Sequence, residues 1–343
     1  MLALVKTNSK QGLQLIQKSE PKVKEENEIL IEIGACGICG SDLKSYLSDE
    51  DLLSYLSRYG WPISLGHEIG GTVCEVGSGI TEFKEGDRVT CNADPPCGYC
   101  FHCIRGQTNL CINRNMQNRI GGFARYALVT PAYLYKLPKI VPVEEAALVE
   151  PLGVALRAIE RSRLKPGDSA LIIGPGSLGI LATMLLKSAG IRPLVVAGRK
   201  TSRERLKVAA EIGAMTIEID GNNLLDEIRS LTGGLGVDAV FDFTGDSEVM
   251  SESIEVVRIG GELLVVAGGK ACEFNEHQAV LKELTILTVR ALQSSTWQRS
   301  VNLVSSRTID IRKVISHILP LEEYEKAFQL LRKREALKVI LTP

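Results

Sequence analysis

The chain has 343 residues, 45% of them apolar and 24% charged, the profile of a folded globular protein and not of a disordered tail. That length exceeds what one ordinary core supports, so two domains are expected. Forty basic against 41 acidic residues leave a net charge of −1, which gives no electrostatic ground for a nucleic-acid or anionic-membrane partner.

Taken in order, Met1-Leu2-Ala3-Leu4-Val5-Lys6 enters a strand-like pattern at once and has no signal-peptide features. No apolar run is long enough to span a bilayer, and a cytoplasmic protein is expected. Residues 1–148 read as mostly β. Short apolar runs at 13–16, 28–33, 71–76 and 87–90 are separated by turn chemistry such as Gly77-Ser78-Gly79 and Lys84-Glu85-Gly86-Asp87. Many short strands of this kind suggest a barrel-like or sandwich-like domain. Residues 48–59 are polar with spaced leucines and read as a short helix or a flap.

From Lys165 the texture changes. A turn, Lys165-Pro166-Gly167-Asp168, precedes a buried strand at 169–173 and then Gly174-Pro175-Gly176-Ser177-Leu178-Gly179, which opens an apolar helix to 189. Strand and helix patterns then alternate at 194–197, 203–212, 215–219, 224–231, 237–241, 248–257, 262–267 and 284–289. Such alternation predicts βαβ units and a doubly wound parallel sheet of six strands. After Arg290 the pattern is mixed, ending in a helix near 321–333 and a strand at 338–341.

Three groups of residues carry chemistry. Cys97, Cys100, Cys103 and Cys111 form C-x2-C-x2-C-x7-C, which suits a closed tetrahedral zinc, with an iron–sulfur cluster as the rival. Nine cysteines, an odd number, argue against a disulfide framework in a cytosolic chain. Gly174-x-Gly176-x-x-Gly179 lies between a strand and a helix, where glycines permit a tight turn and a close approach to pyrophosphate at the helix N-terminus. Ser177 and Leu178 belong to the same phosphate loop. At the end of the second strand, Gly198-Arg199-Lys200 stands where an acid for the ribose of NAD is usual, and no carboxylate follows until Glu204. Cations there suit a 2′-phosphate, so the nucleotide is NADP or NAD, with NADP slightly favoured. Finally, Cys39 with Gly66-His67-Glu68 supplies a thiolate, an imidazole and a carboxylate, the chemistry of a zinc site with room for substrate.

Together with Gly121-Gly122-Phe123-Ala124-x-Tyr126 and Glu150-Pro151, these motifs make the whole chain resemble the zinc-dependent medium-chain dehydrogenase/reductase family, in its sorbitol/threonine dehydrogenase-like branch. The resemblance implies an α/β plus β architecture. A GroES-like β-rich catalytic domain at 1–148 and 290–343 would be interrupted by a Rossmann domain at 149–289. It implies two zinc ions per chain, the catalytic one held by Cys39, His67 and Glu150, with Glu68 able to exchange for Glu150. It gives Ser41 the proton relay, Asp42 the orientation of His67, Arg290 a place in the pocket and Lys338 a contact with the cofactor pyrophosphate. A small-molecule alcohol, a polyol or sugar alcohol, is the implied substrate, with threonine or aldose oxidation as the runner-up. A homotetramer or homodimer is the implied assembly. The chain departs from the pattern at Lys44, where polyol and threonine dehydrogenases often carry His, and in a slightly long span from Cys39 to His67. Lys44 at the mouth would favour a phosphorylated sugar alcohol. The rival from another class is a non-catalytic zinc- and nucleotide-binding regulatory protein.

Overall fold

Alternating isoleucines at 29, 31 and 33 make a strand with one face sealed in a core, each at most 1% exposed. By contrast, all four residues of the strand Ala170–Ile173 are buried, as a central strand covered on both faces requires. These two strand types mark two different units. The computed structural model describes residues 1–57, 60–114, 119–220, 224–269 and 271–343.

In chain order the strands are β1 (Leu2–Lys6), β2 (Gln14–Gln17), β3 (Ile29–Gly37), β4 (Ile63–Ser64), β5 (Glu68–Val76), β6 (Arg88–Asn92), β7 (Tyr126–Val129), β8 (Leu134–Leu137), β9 (Ala170–Ile173), β10 (Leu194–Gly198), β11 (Met215–Glu218), β12 (Val237–Asp242), β13 (Val257–Val265), β14 (Thr285–Thr288), β15 (Ile315–Pro320) and β16 (Lys338–Thr342). The helices are α1 (Gly40–Leu47), α2 (Glu50–Ser57), α3 (Val143–Ala147), α4 (Val149–Arg161), α5 (Ser177–Ser188), α6 (Arg203–Ile212), α7 (Leu224–Leu231), α8 (Ser247–Val256), α9 (Glu276–Leu281), α10 (Ser294–Ser305) and α11 (Tyr324–Arg332). The segment read as a helix or flap is thus α2, and its last two residues, 58–59, lie outside the described residues.

One unit comprises Met1–Glu150 with Leu292–Pro343, the other Pro151–Ala291. The inserted unit begins inside the first turn of α4 and ends at Ala291. Glu150 therefore belongs to the first unit. In that unit a seven-stranded sheet runs β15-β16-β3-β5-β6-β8, with β7 added on β3, and a smaller sheet runs β2-β1-β4. Pairing is antiparallel except between β15 and β16.

The second unit holds six parallel strands in the order β11-β10-β9-β12-β13-β14. The order reverses between β9 and β12, the switch point at whose strand ends ligands bind in such sheets. Helix α5 is buried from Gly179 to Leu186 and apolar there except for Thr183, whose hydroxyl donates to the Gly179 carbonyl at 2.7 Å. β13 starts earlier than expected, at Val257, and its register against β12 shifts between Val237 and Ala239. Among the described residues, no helix is long and apolar enough to cross a membrane.

Candidate active site: a metal centre and a dinucleotide loop

Cross-strand register builds the metal centre. Glu68 on β5 pairs with Gly37 on β3, and Gly37 pairs with Ile340 on β16. A Cβ at Gly37 would lie 2.0 Å from Glu68 Oε2, so only the absent side chain lets the carboxylate lie across β3. Lys338 stands two residues before Ile340 and hence on the same sheet face. Its Nζ donates to Glu68 Oε1 at 2.7 Å, to Oε2 at 2.8 Å and to the Ile38 carbonyl at 3.0 Å. Both side chains are sealed from solvent. Burial opposes the lysine charge, but the Glu68 carboxylate and the Cys39 thiolate overcome it and raise the Lys338 pKa. In this structure the partner of Lys338 is Glu68.

Asp42, in the first turn of α1, ties the two ligand loops together. Its Oδ2 accepts from the Cys39 amide at 3.0 Å and its Oδ1 from the Gly66 amide at 3.2 Å. His67 Nδ1 lies 3.7 Å from Asp42 Oδ2, so the carboxylate steers the imidazole as a charge and not through a short hydrogen bond. The nearer neighbour was not foreseen: Arg119 Nη2 lies 3.1 Å from His67 Nδ1, and Arg119 Nε pairs with Asp94 at 3.1 Å. The only sequence signal for Arg119 is its place two residues before the Gly121-Gly122-Phe123 motif. That motif backs the ligand loop, because the Gly122 amide donates to the Gly66 carbonyl at 2.9 Å. Burial disfavours a charged His67, yet the Cys39 thiolate and Asp42 carboxylate raise its pKa well above the usual value.

Ligand atoms of Cys39, His67 and Glu68 lie within 4.8 Å of one another. A thiolate, an imidazole and a carboxylate at that spacing fit zinc with an open position. Glu150 falls outside this set, although its charge acts on His67 and burial pushes its carboxyl up to about 7. Three of the four expected ligands are therefore brought together, and the fourth stands beside them. Ser41 is the second residue of α1 and is partly exposed.

In the cysteine lobe, ligand atoms of Cys97, Cys100, Cys103 and Cys111 also lie within 4.8 Å of one another. Short helical turns at Cys103–Arg105 and Thr108–Leu110 fold the loop around them. Tyr99, Phe101, Ile104 and Ile112 all point outward, more than half exposed, so the lobe has few apolar contacts of its own. Amides of Cys103 and Ile112 lower the Cys100 thiol to about 6, which favours a thiolate ready for a cation. His102 does not join the set; its ring bonds Gln107 at 3.0 Å.

In the second unit, Gly174 follows β9 with φ +99, and a Cβ at Gly179 would lie 2.1 Å from the Gly174 carbonyl. The first turn of α5 therefore sits on the loop with no space to spare. Gly176 caps α5 without a side-chain hydrogen bond and has nothing within 4 Å of where a Cβ would stand. Free amides at a helix N-terminus beside open backbone fit a pyrophosphate. Ser177 and Leu178 are partly exposed beside it, and Gly198 ends β10.

A mixed-donor centre on one unit and a phosphate-accepting loop on the other define a zinc-binding dehydrogenase. The model for the alcohol dehydrogenase GroES-like domain matches residues 25–139, and that for zinc-binding dehydrogenase matches residues 177–306. The chain is 31% identical to sorbitol dehydrogenase of Halalkalibacterium halodurans, over 100% of the chain and 99% of the relative. It is 32% identical to L-threonine 3-dehydrogenase of Bacillus velezensis, with the same coverage. Galactitol-1-phosphate dehydrogenase of Escherichia coli superposes over 100% of both chains, with a TM-score of 0.88 at 25% identity. The chain belongs to the zinc-dependent medium-chain dehydrogenase/reductase family, with GroES-like and Rossmann domains, and is an oxidoreductase acting on CH–OH donors.

Proposed function

We propose that the protein oxidises a secondary alcohol of a polyol or sugar alcohol to a ketone, with hydride transfer to NAD(P). The convergence of Cys39, His67 and Glu68 carries this reading. These residues, with Glu150 able to take the place of Glu68, would hold a zinc ion, which when bound supplies Lewis acidity toward an alcohol oxygen. The nicotinamide cofactor supplies the hydride acceptor. Ser41 Oγ takes the alcohol proton toward solvent, a role that its partial exposure supports. Asp42 holds the Cys39 and Gly66 amides, and so both ligand loops, in one place. Lys338 holds the Glu68 carboxylate in place through two hydrogen bonds. The cysteine lobe takes a second, structural zinc. Arg199 and Lys200 support NADP slightly over NAD.

L-threonine is the runner-up substrate, on the strength of the threonine dehydrogenase relative. Exposed Lys44 on α1 and the likeness to a sugar-phosphate dehydrogenase favour a phosphorylated polyol. Lys44→Ala then lowers turnover of a phosphorylated polyol and spares the plain one; equal turnover of both by the wild type, unchanged in the variant, refutes the idea. A homodimer or homotetramer is supported by β14, an open sheet edge in a unit that also exposes Ile259, Val280 and Leu281. Nine free cysteines support a cytoplasmic location.

The test is absorbance of reduced nicotinamide with NAD and NADP against polyols, sugar phosphates, aldoses, threonine and simple alcohols. Turnover of a polyol that a zinc chelator abolishes is the expected result. Silence across the panel with only one zinc per chain would favour the non-catalytic rival.

A further inference from the structure

The end of β10 is less cationic than its sequence. Arg199 Nη2 lies 2.8 Å from Asp246 Oδ2 and 3.2 Å from Glu248 Oε2. The Lys200 amide donates to the Asp220 carboxylate. Arg203 is held by both oxygens of Glu218 at 2.9 Å. The cations Arg199, Lys200 and Arg203 thus stand among the carboxylates of Asp220, Glu218, Asp246 and Glu248. All four acids come from chain segments beyond the strand end where an acid is usual.

The acid pair borders the nucleotide loop. A Cβ at Gly198 would lie 2.8 Å from the Pro175 ring, so the end of β10 packs on the loop. A Cβ at Gly174 would lie 2.7 Å from Thr244 Cγ2, so the segment leading to Asp246 packs on the same loop. Asp246 is also fixed in place. Its amide donates to Thr244 Oγ1 at 3.0 Å, and its Oδ1 caps α8 by accepting from the Glu248 amide at 3.2 Å. One carboxylate oxygen holds the helix and the other holds Arg199. Further along α8, burial raises the Glu252 carboxyl; the charges of Glu248 and Asp246 add to this and that of Arg199 opposes it, so the same three groups act together on this face.

We propose that Asp246 and Glu248 are specificity-determining residues for the nucleotide. They hold Arg199 and offset its charge, so that a 2′-phosphate gains little over a ribose hydroxyl. The proposal rests on the dehydrogenase reading and adds to it a mechanism for weak discrimination between NAD and NADP. Arg199 and Lys200 attract the phosphate; the acid pair repels it and competes for the guanidinium.

The test is calorimetric titration of full-length, zinc-loaded protein with NADH and NADPH. The variant is Asp246→Asn with Glu248→Gln, because asparagine keeps the helix cap. NADPH should bind about tenfold tighter to the variant, the scale of two repulsive charges removed within a Debye length, while NADH stays within about twofold. Adding Arg199→Ala to the pair of substitutions should reduce the gain, because the freed guanidinium no longer attracts the phosphate. An unchanged NADPH/NADH ratio refutes the proposal. Weaker NADPH binding also refutes it, by showing that the acids pose Arg199 for the phosphate. If neither nucleotide binds the wild type, the dehydrogenase reading falls and the proposal falls with it.

Discussion

Replacing Lys338 by methionine tests the pair at the heart of the first unit. Glu68 is 1% exposed, and its carboxylate takes two hydrogen bonds from Lys338. In the metal-free protein, removing the cation leaves that carboxylate buried without its counter-charge, a loss of about 3–5 kcal/mol. For a unit of roughly 200 residues this is a fall in melting temperature of about 10 °C. Both tryptophans, buried Trp297 and exposed Trp61, lie in the first unit, and the fluorescence of Trp297 reports the unfolding of that unit. The double variant Lys338→Met, Glu68→Met replaces the pair with apolar side chains of similar volume and should recover most of the loss. A single-variant loss below about 1 kcal/mol, or a double variant that simply adds two losses, would refute a sealed ion pair.

Three further outcomes follow from the geometry. Gly37→Ala puts a Cβ 2.0 Å from Glu68 Oε2, so the carboxylate must leave Lys338; a destabilisation of about 1–3 kcal/mol and weaker zinc retention against a chromophoric chelator are expected. Asp238 accepts from the Ser169 amide at 2.7 Å, from Ser169 Oγ at 2.6 Å and from Arg258 Nε at 2.6 Å. Burial raises its carboxyl, but these donors outweigh burial and lower it below the usual value. Its stabilisation is therefore present above the unfolded carboxylate pKa of about 3.9 and is lost as pH falls through the lower folded value. Thermal melts between neutral and acid pH should show the gap between wild type and Asp238→Asn closing in acid, and a constant gap counts against the assignment. Cys103→Ser should cost the lobe its ion and open residues 97–111 to protease, because exposed Tyr99, Phe101, Ile104 and Ile112 give that loop little core; unchanged protease resistance would show that the loop holds itself.

The parallel sheet was legible because buried strands and amphipathic helices alternate with different periods, and because Gly174, Gly176 and Gly179 sit at a strand-to-helix junction. Helix limits at 203–212 and 224–231 match the structure, since each is bounded by residues that stop a helix or leave its periodicity. The thiolate lobe was legible from spacing alone, for its ligands are local. What stayed hidden depends on strands far apart in sequence. Lys338 meets Glu68 only because β16 and β5 flank β3 at Gly37. Arg119 reaches His67 from a segment whose pattern predicts no contact, and the acids that hold Arg199 are Asp246, the N-cap of α8, and Glu248 in the first turn of that helix. Glu150 carried a motif yet falls outside the tight ligand set, a matter of ångströms that spacing does not encode.

Metal content measured beside turnover tests the central claim most directly. The wild type should carry about two zinc ions per chain, and Cys39→Ser about one, with the thiolate lobe still loaded and dehydrogenase activity lost. One zinc in both proteins, or full activity in the variant, would contradict a catalytic metal at Cys39 and His67.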